Sequence, residues 1–85
     1  MKITLRFFAS VRETLGTSQE VVEVPADVET VGALRQHLVA RGGAWERALS
    51  EQRALRMAYN QTMCDALVRL NDGAEVAFFP PVTGG

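Results

Sequence analysis

Ala74-Glu75-Val76-Ala77-Phe78-Phe79-Pro80-Pro81-Val82-Thr83-Gly84-Gly85 closes the chain and joins an alternating segment directly to a terminus without side chains. Val76 and Phe78 fall on one side of the alternation, and Glu75, Ala77 and Phe79 on the other, which predicts a strand with one apolar face. Phe79 is the misfit, an aromatic on the side where water or a partner is expected. Each proline then restricts its own φ and biases the preceding residue toward extended geometry, so the tail is expected to project from a domain ending at residue 79. Pro80 to Gly85 spans roughly 20 Å when extended. Gly84 and Gly85 lack Cβ atoms and fit a channel too narrow for other residues. The group delivered is the Gly85 α-carboxylate, a poor electrophile until a partner activates it. Terminal Gly-Gly also arises in processing scars and flexible ends. A scar, however, is not joined this tightly to a strand.

The start of the chain mirrors its end. From Lys2 to Phe8, Ile3, Leu5 and Phe7 share one side while Thr4, Arg6 and Phe8 share the other, so Phe8 repeats the anomaly of Phe79. Ser10-Val11-Arg12-Glu13 matches a capping box and Gly16 a left-handed helix stop, predicting a short helical turn. Glu20 to Val24 reads as a second strand bounded by Pro25. Thr30 then caps a helix whose Val31, Leu34 and Leu38 share a face up to Gly42-Gly43. Trp45, Ala48 and Leu49 predict a further helical turn at the edge of the core. Leu55 to Tyr59 and Thr62 to Cys64 form a hairpin about Asn60-Gln61, and Asn71-Asp72-Gly73 turns the chain into its last strand. The order implies an α+β fold, a mixed sheet packed against one main helix. If the first and last strands lie side by side in the middle, Phe8 and Phe79 meet on the uncovered face as an exposed apolar patch.

Bulk properties narrow the function. Eighty-five residues suffice for one domain, with little room for a buried catalytic cavity. Nine Lys and Arg against ten Asp and Glu, without a basic run, argue against nucleic acid as a partner. No segment has the apolar length of a membrane span or secretory signal, so the expected location is cytoplasmic. A single cysteine, Cys64, argues against an intramolecular disulfide or a thiolate-built metal site, and no metal is expected. Cys64 itself is either a sulfur-carrying thiol or a small core residue, and the core role is preferred. His37, on the flank of the helix, reads as a boundary residue. Arg12, Arg35 and Arg41 are either partner contacts or a solvated face, and the solvated face is preferred.

Phe7-Phe8-Ala9-Ser10-Val11-Arg12-Glu13, Val31-Gly32-Ala33-Leu34-Arg35, Asn60-Gln61 and the run from Asn71 to Gly85 resemble the small subunits of molybdopterin synthase over essentially the whole chain. The resemblance implies a ubiquitin-like β-grasp fold and a sulfur carrier that is not catalytic alone. An E1-like adenylating enzyme would use ATP to activate Gly85, and a sulfur-donor protein would convert it to a thiocarboxylate, a C-terminal 1-thioglycine. The large subunit would take Pro80, Pro81, Val82, Thr83 and Gly84 into its active site, where sulfur passes to cyclic pyranopterin monophosphate to build the molybdopterin dithiolene. Phe8, Phe79 and Met63 would form the partner interface, Met63 being a candidate whose short strand could face either way. The implied assembly is a heterotetramer of two small and two large subunits, and no tightly bound cofactor is expected.

Other readings use the same ending. A carrier for thiamin synthesis or RNA thiolation would share the activated tail, and a ubiquitin-like modifier would bond Gly85 to a lysine. A plain interaction domain would leave the tail idle. The Pro80-Pro81-Val82-Thr83 spacing and the Phe8/Phe79 pair favour the synthase subunit over the other carriers, and discriminate less well against modification.

Overall fold

The computed structural model describes residues 1–81; Val82, Thr83, Gly84 and Gly85, on which the carrier chemistry is expected, lie outside the described residues. The elements are β1 (Lys2–Phe7), α1 (Ala9–Leu15), β2 (Gln19–Glu23), α2 (Val31–Val39), α3 (Ala44–Leu49), β3 (Arg56–Tyr59), β4 (Thr62–Cys64) and β5 (Glu75–Phe79). The five strands form one mixed sheet in the order β2-β1-β5-β3-β4. β1 and β5 run parallel at its centre, pairing Leu5 with Val76 and Phe7 with Phe78, and the remaining pairs are antiparallel. This is the β-grasp arrangement.

Strand alternation divides the two faces. Ile3, Leu5, Phe7, Val76 and Phe78 are buried on the helix side, against Val31, Leu34 and Leu38 of α2. Phe7 and Phe78 stack with ring centroids 6.4 Å apart, and Trp45 meets Phe7 edge-on at 5.7 Å. α3 is more than a lid at the core's edge, because its Ala48 and Leu49 are fully buried in that core. Among the described residues no helix is long and apolar enough to cross a membrane.

The first turn of α2 is closed by its surroundings. Thr30 Oγ1 accepts the Ala33 amide at 3.1 Å, as its cap position predicts. The Val31 and Gly32 amides donate to the carbonyls of Val68 and Ala66, each at 2.9 Å. That approach explains a glycine inside a helix: a Cβ on Gly32 would lie 2.9 Å from the Ala66 Cβ. The Asn60-Gln61 turn dispenses with glycine even though both residues have positive φ, 48° and 68°. Asn60 compensates by fastening the turn to β5, its Oδ1 accepting the Glu75 amide at 2.9 Å and its own amide donating to the Glu75 carbonyl at 2.8 Å.

Two local expectations are corrected. α1 has no Ser10–Glu13 capping box: Phe8 occupies the N-cap without a side-chain cap, and its carbonyl accepts the Val11 amide at 3.1 Å. The chain turns at once on leaving β1, with Ala9 at φ 51°, which places Ser10 inside the first turn. Arg35 is not part of a solvated face but is only 6% exposed. Its Nε donates to the Leu49 carbonyl at 2.6 Å, and its Nη2 donates to the carbonyls of Ser50 at 2.6 Å and Arg53 at 2.9 Å. Leu49 ends α3, so the cation sits at the negative end of that helix and satisfies carbonyls that α3 leaves open. Arg41 also has partners, since it pairs with Glu20 at 2.9 Å and lies over the Trp45 ring at 4.4 Å. Arg12 is exposed as expected.

Arg35→Met is expected to lower unfolding free energy by about 2–4 kcal/mol, because buried carbonyls lose charge-assisted donors. Arg35→Lys should restore little of it, since an ammonium does not reproduce the planar fork. Urea denaturation of both variants checks this; an unchanged midpoint for Arg35→Met would show that the clamp is energetically neutral.

Candidate functional site

The sheet face opposite α2 is built from the residues that alternation turns away from the core. β1 contributes Thr4 and Arg6, β5 contributes Glu75, Ala77 and Phe79, and β3 contributes Arg56 and Ala58. Because β1 and β5 are parallel neighbours, their ends emerge together. Phe8 and Phe79 meet edge-to-face with ring centroids 6.3 Å apart and planes at 87°. Phe8 keeps 42% of its surface exposed, while Phe79 is half-buried. Phe8 thus spans two roles, with a backbone that starts α1 and a side chain on the open face.

Register settles the orientation of Met63. It pairs with Ala58, which pairs with Ala77, which pairs with Arg6, so all four stand in one row across β4, β3, β5 and β1. Met63 is therefore on the same open face as Phe8 and Phe79, and it is 53% exposed. Between them Ala58 and Ala77 form a low floor, each buried although, among the described residues, no helix or strand crosses this face. Sequence reasoning placed Ala77 and Arg6 on this side without assigning them to the interface, and passed over Ala58 and Arg56. Their signal was the same alternation that singled out Phe79, applied to residues that are not conspicuous by hydropathy.

The tail leaves from this patch. Pro80 and Pro81 follow Phe79 and are half-buried, while the rest of the expected insert, Val82, Thr83 and Gly84, and its reactive end Gly85 lie outside the described residues. Cys64 faces the core side and packs partly against it, in register with Met57. Burial, and secondly the neighbouring Asp65 carboxylate, push its thiol pKa up and disfavour the nucleophilic thiolate. His37 is half-buried on α2, and no cluster of His, Cys, Asp or Glu suited to a metal ion occurs among the described residues.

Comparison with known proteins agrees with this geometry. The ThiS family model matches residues 5–85. The molybdopterin synthase sulfur carrier subunit of Escherichia coli (strain K12) is 52% identical over 83 residues, covering 98% of this chain and 99% of that protein. The solution structure of the Haloferax volcanii HVO 2177 protein superposes with a TM-score of 0.79 at 32% identity, covering 100% of this chain and 87% of that one. A chain from the complex of subunits 1 and 2 of molybdopterin-converting factor from Helicobacter pylori 26695 has a TM-score of 0.69 at 23% identity, with both chains fully covered, and shares the fold. A sequence match over nearly the whole chain and a β-grasp sheet whose last strand ends at Phe79, beside Phe8, lead to one conclusion: the chain belongs to the ThiS family.

Proposed function

We propose that this chain is the sulfur carrier subunit of a molybdopterin synthase, acting as a co-substrate whose reactive group is the Gly85 terminus. The observation that carries the reading is the end-to-end likeness to the Escherichia coli carrier subunit, in a chain that closes on Phe78-Phe79-Pro80-Pro81-Val82-Thr83-Gly84-Gly85. An E1-like enzyme attaches AMP from ATP to the Gly85 carboxylate with release of pyrophosphate. Sulfide-level sulfur from a donor protein then attacks the acyl carbon, forming the C–S bond as the C–O bond to AMP breaks, and leaves a thiocarboxylate. At neutral pH this group is anionic, and its sulfur is more polarisable than oxygen, so an inert terminus becomes a usable nucleophile. Within the large subunit, the thiocarboxylate sulfur bonds to cyclic pyranopterin monophosphate and water then cleaves the acyl carbon–sulfur bond, so that sulfur stays on the pterin and the plain carboxylate is restored for another cycle.

Each part of the chain has a physical task in this cycle. The β-grasp body, residues 1–79, presents Phe8, Phe79 and Met63 to the large subunit, and residues 80–85 reach its active site. Pro80 and Pro81 reduce the conformational freedom lost when the tail docks. Gly84 passes the narrowest point because it has no side chain. ATP is consumed on the activating enzyme, and the dithiolene receives molybdenum elsewhere, so the carrier needs no bound cofactor. The working assembly is a heterotetramer of two small and two large subunits in the cytoplasm.

Intact-mass measurement on protein purified from cells with the pathway operating is expected to reveal a fraction heavier by the sulfur-for-oxygen difference, localised to the C-terminal peptide. A plain carboxylate on every molecule, even after incubation with ATP, activating enzyme and sulfur donor, would move the reading to a modifier or an idle tail. Gly84→Trp should abolish sulfur transfer in a reconstituted assay with the unfolding midpoint unchanged; normal transfer would remove the narrow channel. Phe79→Arg should weaken large-subunit binding by about tenfold or more, the cost of losing an aromatic anchor, while changing stability by less than about 1 kcal/mol. A large stability loss would instead assign Phe79 to the core.

A further inference from the structure

The open sheet face carries an unbalanced charge beside its aromatic pair. Arg6 is engaged within the chain, with Nη1 3.7 Å from Glu75 Oε1 and its guanidinium carbon 5.7 Å from the centre of the Phe8 ring. At the far end of the face, Lys2 is exposed and likewise has no ion-pair partner among the described residues, the Glu23 opposite it pairing instead with the N-terminal amine at 3.7 Å. Arg56 is the unpaired cation beside the aromatic pair: it is exposed, lies directly opposite Phe79 of the neighbouring β5, and has no ion-pair partner among the described residues. Its backbone is also well placed, because β3 follows the segment whose Leu49, Ser50 and Arg53 carbonyls are held by buried Arg35.

An uncompensated guanidinium at the border of an apolar patch favours a carboxylate on whatever surface covers that patch. It would be left without a counter-charge against a neutral surface and repelled by a basic one. Resting on the docking-face reading above, we infer that the large-subunit surface receiving Phe8 and Phe79 is acidic where it faces Arg56, and that Arg56 is a specificity residue of this carrier. It steers and registers the encounter, while the aromatic pair supplies most of the buried contact. Arg56 does not touch the reacting atoms.

The test is association of the full-length chain with its purified large subunit, followed by stopped-flow at about 0.05 M and 0.5 M salt, a range over which screening shortens severalfold. Arg56→Glu is expected to slow association about tenfold at low salt, with the deficit shrinking to about twofold or less at high salt. Arg56→Lys should keep most of the rate, and both variants should unfold at the wild-type midpoint, since the side chain is exposed. Phe79→Arg runs alongside as the control for the face itself. Wild-type or faster association of Arg56→Glu, with Phe79→Arg impaired, would overturn the acidic-surface inference alone. Wild-type association of both variants would overturn the docking face and the inference with it.

Discussion

The parallel pairing of β1 with β5 is the constraint on which the rest of this molecule depends. It joins the two ends of the sequence at the centre of the sheet, with Leu5 beside Val76 and Phe7 beside Phe78. Parallel neighbours finish at the same edge, so Phe8 and Phe79 leave the sheet together and the tail starts from their contact. An antiparallel arrangement would have put those residues at opposite ends. The same strands also bury Ile3, Leu5, Phe7, Val76 and Phe78, which makes the core and the presentation of the tail consequences of one set of hydrogen bonds.

Period-two alternation lets so small a domain serve two purposes. Adjacent residues Phe78 and Phe79 have opposite tasks: the first stacks on Phe7 inside the core, and the second meets Phe8 on the open face. Exchange of the exposed residues of the open face, such as Met63 and Arg56, leaves core volume unchanged, whereas Ala58 and Ala77 are buried in its floor. The helix side lacks that freedom. There α2 is held at its start by the carbonyls of Ala66 and Val68, and through Arg35 by those of Leu49, Ser50 and Arg53.

What the sequence disclosed follows from the range of the forces involved. Strand alternation, the Thr30 cap and the Asn71-Asp72-Gly73 turn are local signals, and they placed every strand and the main helix to within a few residues. The central pairing was not a local signal and entered only as a condition that the β-grasp resemblance supplies; given it, the out-of-place aromatics of the two strands made the Phe8–Phe79 contact legible. Arg35 was hidden, since its acceptors lie 14 to 18 residues away and nothing in its neighbourhood marks a buried cation. The capping box misled for a related reason: Ser10 and Glu13 have suitable spacing, but the exit from β1 begins α1 at Ala9, before Ser10 can act as its cap. Met63 needed the register from β4 through β3 to β5, which only the assembled sheet supplies.

Arg35 and the open sheet face meet at the start of β3. Only the segment from Ser50 to Leu55 separates α3 from that strand, and Arg35 grips two of its carbonyls, those of Ser50 and Arg53. Fixing that backbone holds the register in which Arg56 lies across from Phe79 and Ala58 across from Ala77. A loose connection would let β3 slip along β5, and a one-residue slip would turn Ala58 and Met57 to the wrong faces. The buried guanidinium thus shapes the open face without touching it, through the backbone that carries the strand into place.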